Sequence, residues 1–380
     1  MKKYTIKLIA FTTAVLMMTA SFASCTDKNT QQSSDTTTAT SSEIKASENR
    51  VVVEGTKFMV NGKELWFNAV NTPWDKWNDF GGSFDETFWD THFSELETAG
   101  VNATRIWINC DGMVGVKLKE DGSFDSVTEK HWQDLDKLFE LAAKHKIYIM
   151  ATLLSFDHFK DTNQYYDRWR AMIQSSSAID SFVAGYVVPL VKRYNENEYF
   201  FSVDFMNEPD WVYENAECGK LSWDYLSNYF ARAAAAVHEN SNVLVTVGVA
   251  ISKYNSNSYE GNKVSDEYLQ KLSGNAKSYL DYYSTHYYFW QDQWFGFAFE
   301  ETPTEFGLDG TKPCVIGECA AVDESGRTLT ERYQSAYKNG WNGVFAWTSN
   351  GVDKCGGYED VKPATTSILA VAEDKVYPNK

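Results

Sequence analysis

The chain has 380 residues, enough for one large domain or two average ones and for a sizeable buried core. Its formal net charge of −17 counts against a nucleic-acid or anionic-membrane partner. Aromatic residues make up 15%, with 13 tryptophans, more than one core requires, so some are expected on a binding surface for an uncharged partner.

The N-terminus reads as an export signal. Lys2, Lys3 and Lys7 precede an apolar run, residues 8–20, that is short for a bilayer span. Phe22-Ala-Ser-Cys25 then resembles the lipobox of bacterial lipoproteins, which implies that Cys25 becomes the acylated first residue. Cleavage there removes three lysines and no acid, leaving −20. Residues 26–48 contain almost only Thr, Ser, Gln, Asp, Glu and Lys and no aromatic residue, too little apolar surface to offset the entropy of ordering. The expected organisation is a signal segment over 1–24, a flexible tether over 25–49 and one catalytic domain over 50–380. Cys110, Cys218, Cys314, Cys319 and Cys355 remain after Cys25, and neither a disulfide nor a metal-binding spacing can be assigned among them.

From Val51 onward, strand and helix signals alternate. A hairpin turns at Asn61-Gly62. The first strand of the main sheet runs over 64–71, followed by a loop with Trp74 and Trp77 and a helix over 85–99 that stops at Gly100. Further strands are expected over 103–109, 147–154, 201–208, 243–248, 279–288, 313–319 and 343–349. Helices are expected near 129–145, 182–194, 223–238 and 365–373. Eight such units over roughly 320 residues fit a single (β/α)8 TIM barrel with long βα loops better than an open doubly wound sheet, because no Gly-x-Gly-x-x-Gly follows the first strand.

In such barrels the strand ends carry the chemistry. The expected ends hold Arg105 and Asn109, Asn207 and Glu208, His286 and Tyr288, Glu318, and Trp347. Two carboxyls at one barrel mouth are the minimum needed to cleave a glycosidic bond. Arg105 beside Glu318 would keep that carboxylate ionised, whereas Glu208, flanked by aromatic residues such as Trp211, would hold its proton.

Asn207-Glu208-Pro209 on one strand, His286-x-Tyr288 two strands on and Glu318 on the next, with Arg105 and Trp347, resemble glycoside hydrolase family five. The resemblance spans Val51 to about Val376. It implies a retaining double displacement with Glu208 as acid/base and Glu318 as nucleophile. It also implies that Asn207 bonds a sugar 2-hydroxyl, Arg105 and Tyr288 orient the nucleophile, His286 holds substrate or the acid/base, and Trp347 supports the sugar. Trp74, Trp211 and Trp290 are further expected sugar contacts. No metal or organic cofactor is implied. Two features depart from the family pattern: Cys319-Ala320 follows Glu318, and the histidine usual after the third strand has His158 as its nearest candidate.

The expected activity is an exported, lipid-anchored, monomeric endo-β-1,4-mannanase acting on a neutral polysaccharide or its oligosaccharides, with endo-β-1,4-glucanase as the alternative. A sugar-binding surface lipoprotein without catalysis is the reading from another class; the presence of both glutamates argues against it.

Overall fold

The computed structural model describes residues 49–380, Glu260 excepted. The expected signal segment, its Cys25 and the tether up to residue 48 lie outside the described residues.

Three short antiparallel strands come first: β1 (Val52–Glu54), β2 (Lys57–Val60) and β3 (Lys63–Leu65). Asn61 and Gly62 turn the hairpin with φ of 52° and 72°, the paired left-handed conformations that a two-residue turn demands. The chain then alternates strand and helix: β4 (Phe67–Asn71), α1 (Glu86–Thr98), β5 (Ala103–Trp107), the antiparallel pair β6 (Val116–Leu118) and β7 (Phe124–Val127), and α2 (Glu129–His145). Next come β8 (Tyr148–Thr152), α3 (Tyr166–Gln174), α4 (Ser176–Phe182), α5 (Val188–Arg193), β9 (Phe200–Asn207), α6 (Pro209–Glu214) and α7 (Trp223–Asn240). The rest is β10 (Leu244–Val249), α8 (Asp266–Ser273), β11 (Tyr283–His286), α9 (Asp292–Phe295), β12 (Cys314–Ala320), α10 (Leu329–Lys338), β13 (Gly343–Trp347) and α11 (Tyr358–Val376). Strands β4, β5 and β8 to β13 pair in parallel and close into an eight-stranded barrel, the (β/α)8 fold expected from the sequence.

Local chemistry sets the helix ends. Asp85 caps α1 by accepting from the amides of Thr87 and Phe88 at 3.0 and 3.3 Å, and Gly100 leaves it at φ 78°. Thr128 caps α2, and Lys146 ends it in the left-handed region.

The core has two layers. Phe67, Met150, Phe201, Tyr282, Val315 and Phe345 fill the barrel interior, and Phe58, Val60 and Leu65 of the opening hairpin close its lower end. Phe58 meets Phe67 and Tyr282 edge-on at 4.8 and 5.1 Å. The second layer packs the outward strand faces against the helices.

Several expected bounds shift. The run expected as one strand over 64–71 divides at Trp66, whose amide turns away to the Lys375 carbonyl at 2.9 Å. The strand expected over 279–288 keeps only Tyr283–His286, because Tyr279 leaves the sheet to stack on His238 with ring centroids 4.1 Å apart. The helix expected at 182 starts at 176 and passes through a π-type turn over Val183–Val187, and the last helix begins at Tyr358. The β6–β7 pair and α3, α6, α8, α9 and α10 have no counterpart among the elements expected from sequence. All five described cysteines are free thiols. Among the described residues no helix is long and apolar enough to cross a membrane.

One buried side chain ties the lower rim together. Asn102 accepts from the Asn68 amide at 2.9 Å and donates to the Trp66 and Val376 carbonyls, both at 2.9 Å. Asn102→Ala would remove three hydrogen bonds to backbone groups, so it should lower unfolding free energy by about 3 kcal/mol in urea melts. A change under roughly 0.5 kcal/mol, the scale of an ordinary surface substitution, would mean that this joint does not hold the rim.

Candidate active site

The upper end of the barrel opens into a cleft of about 670 Å³. Asn207, Glu208, Tyr288, Glu318, Trp347, Trp74, Trp211 and Trp290, all expected as site residues, line it together. Arg105 and His286 lie fully buried beneath this floor. The strand ends therefore converge as the barrel model requires.

Backbone irregularity aims the two glutamates. In β9, Asp204 and Asn207 stand beside Thr246 and Gly248, so the strand carries one residue more than its neighbour there. Phe205 and Met206 both enter the outer core, and Asn207 returns inward. Glu208 follows with φ 51° and ψ 57°, a left-handed backbone that a side chain before proline rarely adopts. That conformation costs on the order of 1–3 kcal/mol and is held by its surroundings: Pro209 starts α6, and the Glu208 amide donates to the Gly248 carbonyl at 2.8 Å. Strand β12 carries the matching irregularity. Ile316 and Cys319 stand beside Val344 and Ala346, so the extra residue falls at Gly317-Glu318 and lets Glu318 face the cleft. Gly317 permits this because a Cβ there would come within 2.1 Å of the Ser284 hydroxyl.

An oxygen of Glu208, an oxygen of Glu318 and a ring nitrogen of His286 all lie within 4.8 Å of one another. A cation could bridge such a group by distance, yet Arg105 already supplies positive charge: its Nη1 donates to Glu318 Oε1 at 2.6 Å. The Tyr288 hydroxyl donates to Glu318 Oε2 at 2.7 Å. The rest of the guanidinium is held from below. Nε and Nη2 donate to Asp204 Oδ2 at 2.9 and 2.7 Å, and Nη2 also donates to Asn207 Oδ1 at 2.8 Å. Nη1 reaches Asn71 Oδ1 at 3.2 Å, while Asn71 donates to the Gly317 and Phe345 carbonyls.

Glu208 has a different shell. His286 Nδ1 lies 3.0 Å from its Oε1, and Trp211 Nε1 donates to its Oε2 at 2.9 Å. Burial pushes its carboxyl up to about 7, against the opposing pull of Arg105 and the Trp211 N–H. Trp211 thus acts against the expectation from sequence: its N–H favours the charged form, and desolvation is what keeps the proton on. Burial also raises Glu318, with the Arg105 guanidinium and the Tyr288 hydroxyl opposing it. Arg105 was expected to keep this carboxylate ionised, and it does pull in that direction, against burial. The two short donations from a cation and a phenol still make Glu318 the better stabilised anion of the pair. Burial lowers His286 to about 4, so its ring is neutral. Its Nε2 has no partner and faces Gly248, where a Cβ would lie 2.7 Å away.

Other side chains join that sequence reasoning missed. Trp107 enters the cleft two residues after Arg105, an alternation that the strand pattern could have revealed, and packs between Trp74 and Trp347 at 5.0 and 5.9 Å. Phe156, Asp157, Lys160, Asp353 and Cys355 come from loops with no periodic signal. Asn109 does not line the cleft: it meets His158 Nε2 at 3.1 Å, and His158 is spent on closing the turn at Ser155.

Residues 55–354 match the family model described as Cellulase (glycosyl hydrolase family 5). The chain is similar to the mannan endo-1,4-beta-mannosidase of Mytilus edulis, 24% identical with 80% of this chain and 89% of that protein covered. It also resembles the mannan endo-1,4-beta-mannosidase of Cryptopygus antarcticus, 22% identical over 79% and 85%. Among solved structures, the beta-mannanase of Mytilus edulis shares the fold with a TM-score of 0.77 at 20% identity, covering 86% of this chain and 98% of that one. The family model spans most of the chain and the whole convergence of strand ends just described, and the chain belongs to glycosyl hydrolase family 5.

Proposed function

We propose that this glycoside hydrolase is an endo-β-1,4-mannanase that cleaves with retention of configuration, using Glu208 as acid/base and Glu318 as nucleophile. The observation that carries the reading is the spacing of the two carboxyls. Oxygens within 4.8 Å fit the roughly 5–5.5 Å of retaining enzymes and leave no room for the water that inverting enzymes hold between theirs. The mannan assignment draws on the names of the two relatives, each aligned over about four-fifths of this chain.

In the first step the Glu208 proton passes to the glycosidic oxygen as the bond from that oxygen to the anomeric carbon breaks. A Glu318 oxygen forms the new bond to that carbon. Arg105 and Tyr288 hold the attacking carboxylate, and Asn207, its carbonyl committed to Arg105, offers its amide N–H to the sugar. Trp347 supports the ring. In the second step Glu208, now ionised, takes a proton from water, the water oxygen bonds to the anomeric carbon, and Glu318 is released. Neutral His286 supplies one N–H at Nδ1 toward Glu208 and adds no charge between the carboxyls.

Residues 1–24 would direct export, Cys25 would carry lipid, and residues 26–48 would space the barrel from the membrane. The sequence Phe22-Ala-Ser-Cys25 and the polar run after it support this.

Glu208→Gln and Glu318→Gln should each lower reducing-sugar release from mannan by about 10³-fold or more. Near-parental rates in either variant would remove that residue from the chemistry. On a panel of mannan, cellulose, xylan and mixed-linkage glucan, the parent should cut mannan first and yield oligosaccharides of several lengths. Preference for cellulose would give the enzyme to the endoglucanases instead.

Glu208 must be protonated, so kcat/KM should fall as pH rises through about 7. Glu318 must be charged, so activity should also fall on the acid side, from a point above the ordinary glutamate range. The limbs report the coupled pair. A profile flat from pH 6 to pH 9 would contradict the assignment of the proton to Glu208.

A further inference from the structure

The loop that follows β11 begins with a turn over Phe289–Gln291 that runs directly into α9. Gln291 pins this turn to the cleft wall. It is fully buried, and its Nε2 donates to the carbonyl of Ala250, itself a cleft residue, at 2.8 Å. With Gln291 held inward, its neighbours project outward. Phe289 is 39% exposed and Trp290 46%, and Trp290 forms part of the cleft edge. One turn further on, Trp294 is 67% exposed, more than any other tryptophan among the described residues. It stacks on no described ring, unlike Phe295, which meets Tyr259 edge-on at 5.2 Å.

Leaving an indole this open forgoes much of its burial free energy, and no packing in the fold accounts for it. Contiguous exposed aromatic surface ordinarily marks a binding site. Trp290 ends the cleft wall and Trp294 follows four residues later, where the turn has run on into α9, a spacing at which helical neighbours share a face. Trp290 and Trp294 are separated by about 6–8 Å along the turn, a distance of the order of a sugar ring. Asp292 and Gln293 lie between them, and the whole chain carries −17, a poor match for an anionic lipid surface.

We propose that Trp294 forms a sugar-stacking subsite outside the cleft, which takes a further pyranose of the polysaccharide whose cleaved bond lies between Glu208 and Glu318. This rests on the reading of the chain as a polysaccharide-cleaving enzyme and adds where the polymer leaves the cleft. Contact there helps only a chain long enough to reach it. It therefore acts on polymer affinity and leaves the chemical step alone.

The test compares the full chain with Trp294→Ala and Trp294→Phe, on whichever polymer of the substrate panel the parent cleaves, so that a wrong choice of sugar is read from the parent alone. Trp294→Ala should raise KM for the polymer about fivefold with kcat retained, and Trp294→Phe should recover most of the loss. On a trisaccharide, which offers at most two rings on either side of the cleaved bond, the KM change should stay below about twofold. In native gels containing the polymer, Glu208→Gln should migrate more slowly than Glu208→Gln with Trp294→Ala. Equal polymer KM in parent and Trp294→Ala would overturn the subsite, as would an equal change on polymer and trisaccharide. Loss of sedimentation with phosphatidylglycerol vesicles on Trp294→Ala, with polymer KM unchanged, would assign the ridge to a membrane and overturn it as well.

Discussion

A guanidinium with no water around it must be neutralised by the protein, and Arg105 is neutralised from two directions. Asp204 receives Nε and Nη2 from below, and Glu318 receives Nη1 from above. Asp204 is itself saturated, with the Thr152 hydroxyl and the amides of Gly248 and Met206 completing its shell. Removing one partner of such a buried pair typically costs about 3–5 kcal/mol because the other charge is left uncompensated. The arrangement therefore fixes Arg105 in one orientation, and with it the position of the Glu318 carboxylate. Glu208 sits a few ångströms away with no cation of its own in direct contact, only a neutral imidazole and an indole N–H. Two carboxyls of the same type thus sit among different neighbours, the general route by which one site can supply both an acid and an anion.

The backbone that makes this possible is irregular where a plain barrel would be regular. Both strands that carry the glutamates hold an extra residue near their upper ends, and both rely on small neighbours. Gly317 clears the Ser284 hydroxyl, and Gly248 leaves room for the imidazole of His286, the guanidinium and Asp204 at once. Such bulges are common beside active sites because they turn a side chain that strict alternation would send to the wrong face. Lower down the barrel is filled by aromatic and aliphatic residues, and the opening hairpin seals it.

Much of this was legible in the sequence. Polar residues ending runs of strand-forming residues named Arg105, Asn207, Glu208, His286, Tyr288, Glu318 and Trp347, and all of them meet at one end of the barrel. Asp204 was not legible. Counting by twos from Phe201, which faces the interior, sends residue 204 to the outside. The register shift opposite Phe200 and Ser202 reverses that parity and brings the charge in. The loop residues Lys160, Asp353 and Cys355 carried no periodic pattern at all. The opposing pulls on the two carboxyls could not be ranked either, because burial, the largest influence on both, exists only once the chain is folded.

The fold alone would accommodate many chemistries, and the reading depends on which carboxyl is the anion. Covalent trapping tests that directly. A 2-deoxy-2-fluoro glycoside with a good leaving group slows hydrolysis of the glycosyl-enzyme more than its formation, so the sugar should accumulate on the enzyme and be found by peptide mass mapping. One sugar is expected, on Glu318. A sugar on Glu208, or turnover with no adduct and inverted products, would contradict it.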